Sequence, residues 1–414
     1  MTPEIKQRIE QIRRGEVPEG YKKGKLGIVP EEWNETSFST LFTSTSEYTD
    51  DLDKYPLYSL TIEDGVTPKT ERYERSHLVK KEDSYKIVRP NDYAYNPMNL
   101  RFGSVARHKG NLPVAVSGYY DIFTTVHKSD LPFMDSFLTC GPMITYYNRI
   151  STGSLVEKQR VHFSQFLEFV LPLPSINERA KIAAILTTQD RVIELKEKRL
   201  AEKQRQKKYL MQQLLTGKKR LPGFYGAWSF PKAKELFQSV SDKDHNGDLA
   251  VLSSTQDRGI VPRDEVDIDI KYDACSLVNY KKVSKGNFVI SLRSFQGGIE
   301  YSTYTGLVSP AYTVLSSRKE ISDGYYKQFF KSTDYINRLN VAVYGIRDGK
   351  QISYEDFGRL RIPYPPIKEQ DAIAEVLSTA DHEIDLLQQD IEQEKQKKKA
   401  LMQLLLTGIV RVKT

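Results

Sequence analysis

The sequence predicts an α/β (α+β) protein in which two like globular domains are joined by two long antiparallel coiled-coil helices. Internal duplication is the first observation, because residues 171–221 align without a gap with residues 362–412, with roughly 20 identities in about 50 positions. Both copies carry the apolar spacing of a long helix. The region ahead of each copy holds short β-branched and aromatic runs, which are typical of strands. Together these features predict that the two halves of the chain are related by pseudo-twofold symmetry.

Length and composition narrow the class of protein. The 414 residues are too many for one ordinary core and indicate two or more domains. No apolar run approaches the ~18 residues that span a bilayer, and the charged N-terminus lacks a signal-peptide core, so we expect no membrane partner and a cytoplasmic location. Cys140 and Cys275 are alone in their halves, which argues against a disulfide framework or a zinc site. The net charge of +7 fits a nucleic-acid partner and equally a mildly basic protein.

The duplication extends into the regions ahead of the helices. Trp33 matches Trp228, and each is followed eight positions later by Leu-Phe. Each half is therefore predicted to be a globular domain of about 140 residues followed by a long helix. Strands are predicted at 93–95, 288–291 and 312–315, and a helix over 323–339. The acidic run 264–273 alternates with Val and Ile, which favours a half-exposed strand over a metal site.

The repeated segments carry clear helix signals. Each opens with Pro-x-Pro, which holds the chain extended and cannot continue a helix. Glu178 and Glu369 follow in the first turn, where the helix dipole favours a carboxylate. Both copies end in Leu-Leu-Thr-Gly, with Gly217 and Gly408 as helix stops. Helices are thus predicted over about 177–215 and 368–406, each ~57 Å long.

An apolar seam runs along both predicted helices and is interrupted in the second by Glu394 and Lys398. A solitary solvated helix needs no duplicated seam, so we expect the two helices to pack against each other. The residues predicted to form the pairing seam are Ile193, Leu200, Leu210, Leu214, Ile384, Leu387, Ile391, Leu401 and Leu405.

The pattern Pro-x-Pro-x-Ile-x-Glu-Gln, a long helix and Leu-Leu-Thr-Gly, present twice around two variable domains, resembles the specificity (S) subunit of type I restriction–modification systems. The second copy carries the pattern in full at 363–370, whereas the first departs from it at Arg179, where Gln is usual. The phrases at 65–68, 101–104 and 308–312 also resemble the target-recognition domains of that family. The resemblance covers essentially the whole chain.

The resemblance implies a chain that binds double-stranded DNA and is not itself an enzyme. Each target-recognition domain would read one half of a split asymmetric site, while the helices set the gap and dock two methyltransferase subunits. No cofactor is expected on this chain, because S-adenosylmethionine, ATP and Mg belong to the partner subunits, including a restriction subunit when present. The implied organisation is an N-terminal helical segment at 1–24, target-recognition domains at 25–174 and 221–365, and spacer helices at 175–220 and 366–414.

Catalytic motifs are not found in the sequence, which has neither a GxxxxGK[ST] phosphate loop nor an Asn/Asp-Pro-Pro-aromatic methyltransferase motif. Candidate DNA contacts are instead polar side chains on loops of the two variable domains, where glycines permit close backbone approach. Each candidate could equally be a solvated surface residue. They are Lys69, Arg72, Arg101, Ser104, Arg107, Lys109, Arg258, Arg263, Arg293, Ser294, Gln296, Arg347 and Lys350.

Two other functions stay open from the sequence alone. A two-domain coiled-coil adaptor could bridge protein partners without reading DNA sequence. Binding that depends on salt and on base sequence distinguishes a DNA reader from such an adaptor. RNA binding is the third hypothesis, because 25 Tyr residues could supply stacking surfaces, although Tyr within apolar strands is more often core.

Overall fold

The computed structural model describes residues 2–69, 85–153, 159–266, 274–342 and 352–412, with backbone alone at 274–276, 295 and 342. The chain forms two compact units. Unit 1 comprises Met1–Lys196 and Asp390–Thr414, and unit 2 comprises Glu197–Gln389. Each unit therefore contains part of both repeated helices. Across the described ranges, no helix combines the length and apolar character that crossing a membrane requires.

Unit 1 opens with helix α1 (Pro3–Arg13), so the predicted N-terminal helical segment ends earlier than expected and gives way to a strand at Tyr21. Its shorter helices are α2 (Phe38–Leu41), α3 (Leu131–Phe137), α4 (Gly141–Ile150) and α5 (Phe163–Leu167). Its strands are β1 (Tyr21–Gly24), β2 (Gly27–Pro30), β3 (Asn34–Ser37), β4 (Phe42–Thr45), β5 (Tyr48–Thr49), β6 (Tyr58–Thr61), β7 (Gly65–Pro68), β8 (Tyr85–Val88), β9 (Tyr93–Tyr95), β10 (Val105–Arg107), β11 (Val114–Ser117), β12 (Asp121–Thr125) and β13 (Val170–Leu173).

The first long helix, α6 (Ile176–Leu214), leads into unit 2. The helices of this unit are α7 (Ala233–Leu236), α8 (Ser294–Gly297), α9 (Asp323–Phe329), α10 (Thr333–Ala342), α11 (Tyr354–Arg359) and the second long helix α12 (Ile367–Leu405). Its strands are β14 (Phe237–Val240), β15 (Leu252–Thr255), β16 (Gly259–Pro262), β17 (Lys281–Val283), β18 (Phe288–Ile290), β19 (Glu300–Tyr301), β20 (Gly306–Val308) and β21 (Thr313–Ser317).

Sheet topology repeats between the units. Unit 1 holds a four-stranded sheet of order β10-β9-β12-β4, and unit 2 holds the corresponding order β19-β18-β21-β14. All neighbours in both sheets are antiparallel. The hairpin β6–β7 likewise corresponds to β15–β16, and the pair β8–β11 to β17–β20. Antiparallel sheets with separate helices make both units α+β, as the strand-like runs at 93–95 and 288–291 predict.

Two predictions of local structure were wrong. Residues 323–339 form two helices, because the chain turns after Phe329 and restarts at Ser332, whose hydroxyl accepts a hydrogen bond from the Tyr335 backbone amide at 3.3 Å. The acidic run begins with a short 3₁₀ turn at Arg263–Glu265 instead of a strand, and residues 267–273 lie outside the described part of the chain.

The two long helices, α6 and α12, are each 39 residues long and begin within one residue of their predicted starts. In unit 1, Lys196 Nζ donates to Asp390 at 2.8 Å, while Lys398 lies 2.5 Å from Asp190. In unit 2, Lys203 Nζ donates to Glu383 at 2.6 Å and Lys207 pairs with Asp381. Residue numbers rise along one helix as they fall along the other in both units. The predicted antiparallel packing is therefore confirmed.

The predicted pairing seam divides into two kinds of contact. Ile193, Ile384 and Ile391 are buried on the helices, whereas Leu200 and Leu387 are half-buried. The end of each helix packs into a globular core together with the start of the other helix. Leu214, with Leu210 packed against it, shares the main core of unit 2 with Ile373 and Leu377 of α12, and Leu405, with Leu401 packed against it, shares that of unit 1 with Ile182 and Leu186 of α6.

The charges that interrupt the seam bind across the helix pair. Glu394 accepts hydrogen bonds from Lys196 Nζ at 2.9 Å and from Gln189 Nε2 at 2.6 Å. These bonds lower the pKa of Glu394 to about 2, the Lys196 bond contributing most. Lys398 is paired with Asp190. Both interruptions are thus polar pairs that also fix the register between the helices.

A buried glutamate near the start of each helix binds an arginine beyond the end of the other helix. In unit 1, Arg411 Nε and Nη2 donate to Glu178 at 2.6 and 2.9 Å. In unit 2, Arg220 Nε and Nη2 donate to Glu369 at 2.5 and 2.6 Å. Glu178 is 1% exposed and Glu369 is 0% exposed. We call each glutamate–arginine pair an end clasp, and each clasp joins the two repeats.

A tryptophan lies beside the glycine that ends each long helix. Gly408 has φ +70°, and a Cβ there would lie 2.5 Å from Pro30 and 2.9 Å from the Trp33 ring. Gly217 has φ +72°, and a Cβ there would lie 3.1 Å from the Trp228 ring. Left-handed backbone and close packing together explain why glycine ends both helices.

Arg179 stands where the second repeat has Gln370, and its partner also differs from that of Gln370. Arg179 is buried and lies 2.5 Å from the buried carboxylate of Asp130, which precedes α3. At the corresponding places in unit 2, Gln370 accepts a hydrogen bond from the backbone amide of Ser322, which precedes α9, at 2.9 Å. An ion pair in one unit therefore replaces a neutral hydrogen bond in the other.

Candidate nucleic-acid interface

One hairpin frame is built twice, once in each unit. In β6–β7, Thr61 pairs with Gly65, and in β15–β16, Thr255 pairs with Gly259. Both threonine hydroxyls accept a hydrogen bond from a backbone amide of the turn, at 3.0 Å in the first hairpin and 3.2 Å in the second. Both glycines have positive φ, +70° and +77°, which glycine adopts without strain. The two turns therefore share their construction.

The tips of these hairpins differ in every residue. Unit 1 presents Ile62, Glu63 and Asp64, and unit 2 presents Gln256, Asp257 and Arg258, all of them exposed. Only Arg258 was among the predicted contacts. Each of the other tip residues looks like ordinary turn sequence by itself, and only alignment of the two hairpins distinguishes the shared frame from the varied tip.

Lys69, Arg101 and Lys109 are the predicted contacts of unit 1 that remain accessible. Lys69 is exposed directly after β7. The side chain of Lys109 is 71% exposed, with Nζ 3.8 Å from the Asp135 carboxylate. Arg101 is half-buried and donates to Gln159 at 3.2 Å. Arg72 lies outside the described residues.

Two predicted contacts are buried, and a third is held by an ion pair within its unit. Ser104 and Ser294 are each 1% exposed, and Ser294 Oγ accepts a hydrogen bond from the backbone amide of Ser291 at 2.8 Å. Arg107 is engaged by Asp135, its Nη2 donating at 2.7 Å. These side chains are occupied within their units, and their contact with DNA stays a prediction.

The arginines predicted as contacts in unit 2 differ in exposure and in hydrogen-bond partner. Arg263 donates to Ser253 Oγ at 3.2 Å, while Arg293 is exposed just ahead of α8. Burial raises the pKa of Tyr312, and the charges of Arg263 and Arg293 oppose that rise. Arg258 donates to the backbone carbonyl of Glu265 at 2.8 Å. Gln296 is exposed on α8, and Arg347 and Lys350 lie outside the described residues.

Two glycines beside α8 serve packing within unit 2. A Cβ on Gly297 would lie 2.8 Å from Gln256 Cγ, and a Cβ on Gly298, which has φ +83°, would overlap the Phe330 carbonyl oxygen. The sequence suggested that these glycines leave room for DNA to approach. Their space is instead filled by the hairpin tip and by Phe330, which directly follows α9.

Lys331 holds the hairpin and the α8 loop together. Its Nζ donates to the backbone carbonyls of Gln256 at 3.2 Å and Gly297 at 2.9 Å, and it also bonds the Glu300 carboxylate. Burial raises the pKa of Glu300 to about 7 against the opposing charge of Lys331, and the carboxylate of Asp257 adds to the rise. This cluster fixes the tip of β15–β16 against the loop that carries Arg293.

Comparisons with known proteins show similarity to one kind of protein. Residues 227–396 match the family model described as Type I restriction modification DNA specificity domain. The chain is 25% identical over 429 residues to a Methanocaldococcus jannaschii protein named as the type I restriction enzyme MjaX specificity subunit, over 96% of this chain and 98% of that relative. It is 26% identical over 274 residues to the MjaVIII specificity subunit of the same organism, over 60% of this chain and 64% of the relative.

Solved structures support the fold. A chain from a structural study of complex assembly and conformational transition in a type I R-M system matches with a TM-score of 0.57 at 15% identity, over 92% of this chain and 99% of that one. The S subunit of the type I restriction-modification system from M. genitalium matches with a TM-score of 0.51 at 12% identity, over 92% and 97%. The matched domain, the full-length relative and the shared fold agree, and together they make this chain similar to the specificity subunits of type I restriction–modification systems.

Proposed function

We propose that this chain reads a split, asymmetric DNA sequence, each unit recognising one half. The observation that carries the proposal is the hairpin frame built twice with different exposed tips, Ile62-Glu63-Asp64 and Gln256-Asp257-Arg258. Two readers of unlike half-sites need a common scaffold and unlike reading positions, since bases are distinguished by side chains presented in a groove. A protein that only bridges partners has no need for two hairpins with the same backbone construction and different exposed residues at their tips.

The paired helices are proposed to set the gap between the half-sites and to dock two methyltransferase subunits. Leu195 on α6 and Leu386 on α12 occupy equivalent places in the repeat and are 49% and 50% exposed. An apolar side chain left open at the same position in each unit fits two like docking sites. Each helix is ~58 Å long, comparable with ~17 base pairs at 3.4 Å rise, which leaves a gap of several base pairs.

This division of labour leaves the chemistry to the partners. S-adenosylmethionine would belong to the methyltransferase subunits, and ATP and Mg to a restriction subunit when one is present. The purified chain is expected to transfer no methyl group to DNA, and transfer is expected when the methyltransferase subunit is added. DNA as the target also implies a cytoplasmic location.

The decisive experiment is co-expression of the full chain with its cognate methyltransferase subunit, followed by sequencing that maps methylated adenines. We expect two unlike short sequences separated by a constant gap. The affinity of the complex for that site should also fall steeply as salt rises, because phosphate contacts release counterions. An adaptor would give no sequence motif and no salt slope, and that pair of results would overturn the proposal.

Exchange of single domains tests independent reading. Replacing residues 33–170 with the equivalent part of another specificity subunit should change one half of the methylated motif and leave the other half and the gap intact. Replacing residues 228–360 should have the reciprocal effect. A single exchange that altered both halves would contradict separate readers.

The docking sites can be tested in matched pairs. Leu195→Glu and Leu386→Glu should each remove one methyltransferase subunit from the complex, and the double variant both, as measured by native mass spectrometry. Retention of two methyltransferase subunits by the double variant would exclude these positions as docking contacts.

A further inference from the structure

Gln256 is held in place by two contacts at the tip of the hairpin β15–β16. Its backbone carbonyl accepts a hydrogen bond from Lys331 Nζ at 3.2 Å. Its side chain lies against the backbone of Gly297, where a Cβ would come within 2.8 Å of Cγ and 3.1 Å of Nε2. The residue is nevertheless exposed. A polar side chain that is both accessible and positioned by its surroundings has the properties of a contact residue.

The chemistry of a carboxamide selects one base. Gln offers a donor and an acceptor side by side, which match the N6 amino group and N7 of adenine in the major groove. Positioning before binding reduces the entropy lost when the contact forms. The equivalent place in unit 1 is Ile62, which is 56% exposed and offers only apolar surface, suited to a thymine methyl group. The two units therefore present different chemistry from one frame.

We propose that Gln256 is a specificity-determining residue of unit 2 that reads an adenine through the major groove, with Gly297 and Lys331 as its positioning residues. This inference rests on the proposed function, because it requires that unit 2 reads DNA sequence. Gln256 was not among the DNA contacts that the sequence predicted. Its proposed role follows from its contact with Gly297 and from the likeness of its hairpin to the β6–β7 hairpin of unit 1.

Gly297→Ala provides a specific perturbation of the proposed reader. The backbone of Gly297 lies outside the left-handed region, so alanine is permitted there, and the three atoms nearest to the added Cβ all belong to the side chain of Gln256. That side chain can move without unfolding the unit. Gly297→Ala should therefore displace Gln256 and leave the rest of the interface in place. Gln238→Ala is the matched control in the same unit, because its amide is bonded to Ser316 Oγ at 3.1 Å within the β14–β21 pair.

The test uses the full chain in complex with its methyltransferase subunit. The methylated motif of the wild type is mapped first, and affinities are then measured by fluorescence anisotropy for that duplex and for each single-base-pair substitution of it. Gln256→Ala should reduce discrimination at one base pair of one half-site by about 10- to 100-fold. Gly297→Ala should relax the same base pair, and adding it to Gln256→Ala should have no further effect. Gln238→Ala should leave every position unchanged.

Three results would overturn the inference while leaving the proposed function intact. Discrimination unchanged in Gln256→Ala would show that the residue reads no base. A loss equal for all duplexes would indicate a phosphate or structural contact. An effect of Gly297→Ala that persists in the Gln256→Ala background would show that the glycine acts through another group. A wild-type complex without any bipartite motif would instead refute the proposed function.

Discussion

Arg220→Ala is expected to destabilise unit 2 strongly, because it leaves a buried carboxylate without its main partner. The Glu369 side chain is 0% exposed and receives hydrogen bonds from Arg220 Nη2 at 2.6 Å and Trp228 Nε1 at 3.0 Å. Once the guanidinium is removed, the indole is the one side chain among the described residues that still donates to this carboxylate. Removal of one partner from a buried ion pair costs about 3–5 kcal/mol, roughly a 150- to 5,000-fold change in the unfolding equilibrium.

Urea unfolding followed by tryptophan fluorescence measures this loss. The chain has 2 Trp residues, so in a Trp33→Phe background Trp228, which is part of the clasp, is the only reporter. Arg359→Ala is the matched control: it breaks an ion pair in the same unit whose side chains are 74% and 80% exposed, and should change the transition little. The double variant Arg220→Met with Glu369→Leu should recover much of the loss, because no charge then remains buried. A loss below about 1 kcal/mol for Arg220→Ala would refute a buried clasp.

Three further expectations concern stability. Ile384→Asp places a charge in the buried helix pair and should cost about 3 kcal/mol or more, whereas Leu386→Asp, at a 50% exposed position on the same helix, should cost little in the same urea titration. Gly408→Ala should lower the melting temperature more than Gly20→Ala, since both have positive φ but only Gly408 also meets neighbouring side chains; equal shifts would contradict that packing. Burial raises the pKa of Glu300 from an ordinary 4.5 to about 7, so the folded unit holds a proton that the unfolded chain releases. Stability of unit 2 should therefore fall as pH rises from about 4.5 to 7, and Glu300→Gln should abolish that fall.

The long helices were predictable because their signals are local and repeated. Pro-x-Pro, a first-turn glutamate and a terminal glycine lie within the segment that they delimit, so the predicted ends differ from the structure by one residue. Gap-free duplication of an apolar seam also predicted antiparallel packing. These inferences needed no knowledge of which distant residues meet.

The candidate interface was less predictable because its geometry depends on distant contacts. The burial of Ser104 and Ser294, and the use of Gly297 by Gln256, arise from packing between segments far apart in sequence. Residue type alone selects Arg, Lys and Ser on glycine-bounded loops, and it cannot separate an open side chain from one occupied inside the domain. The hairpin alignment was available in the sequence, however, and it identifies the tips as the positions that vary.

The end clasps have a consequence for the order in which the chain can fold. Unit 2 is continuous in sequence, so all of its core residues have been synthesised once residue 389 is reached. Unit 1 requires Leu405, Leu406 and Arg411, the last of which pairs with Glu178 across 233 positions. Contacts of such long sequence separation form slowly. The unit that is translated first is therefore completed last, and until then its apolar core lacks two leucines and one of its buried carboxylates lacks its cation.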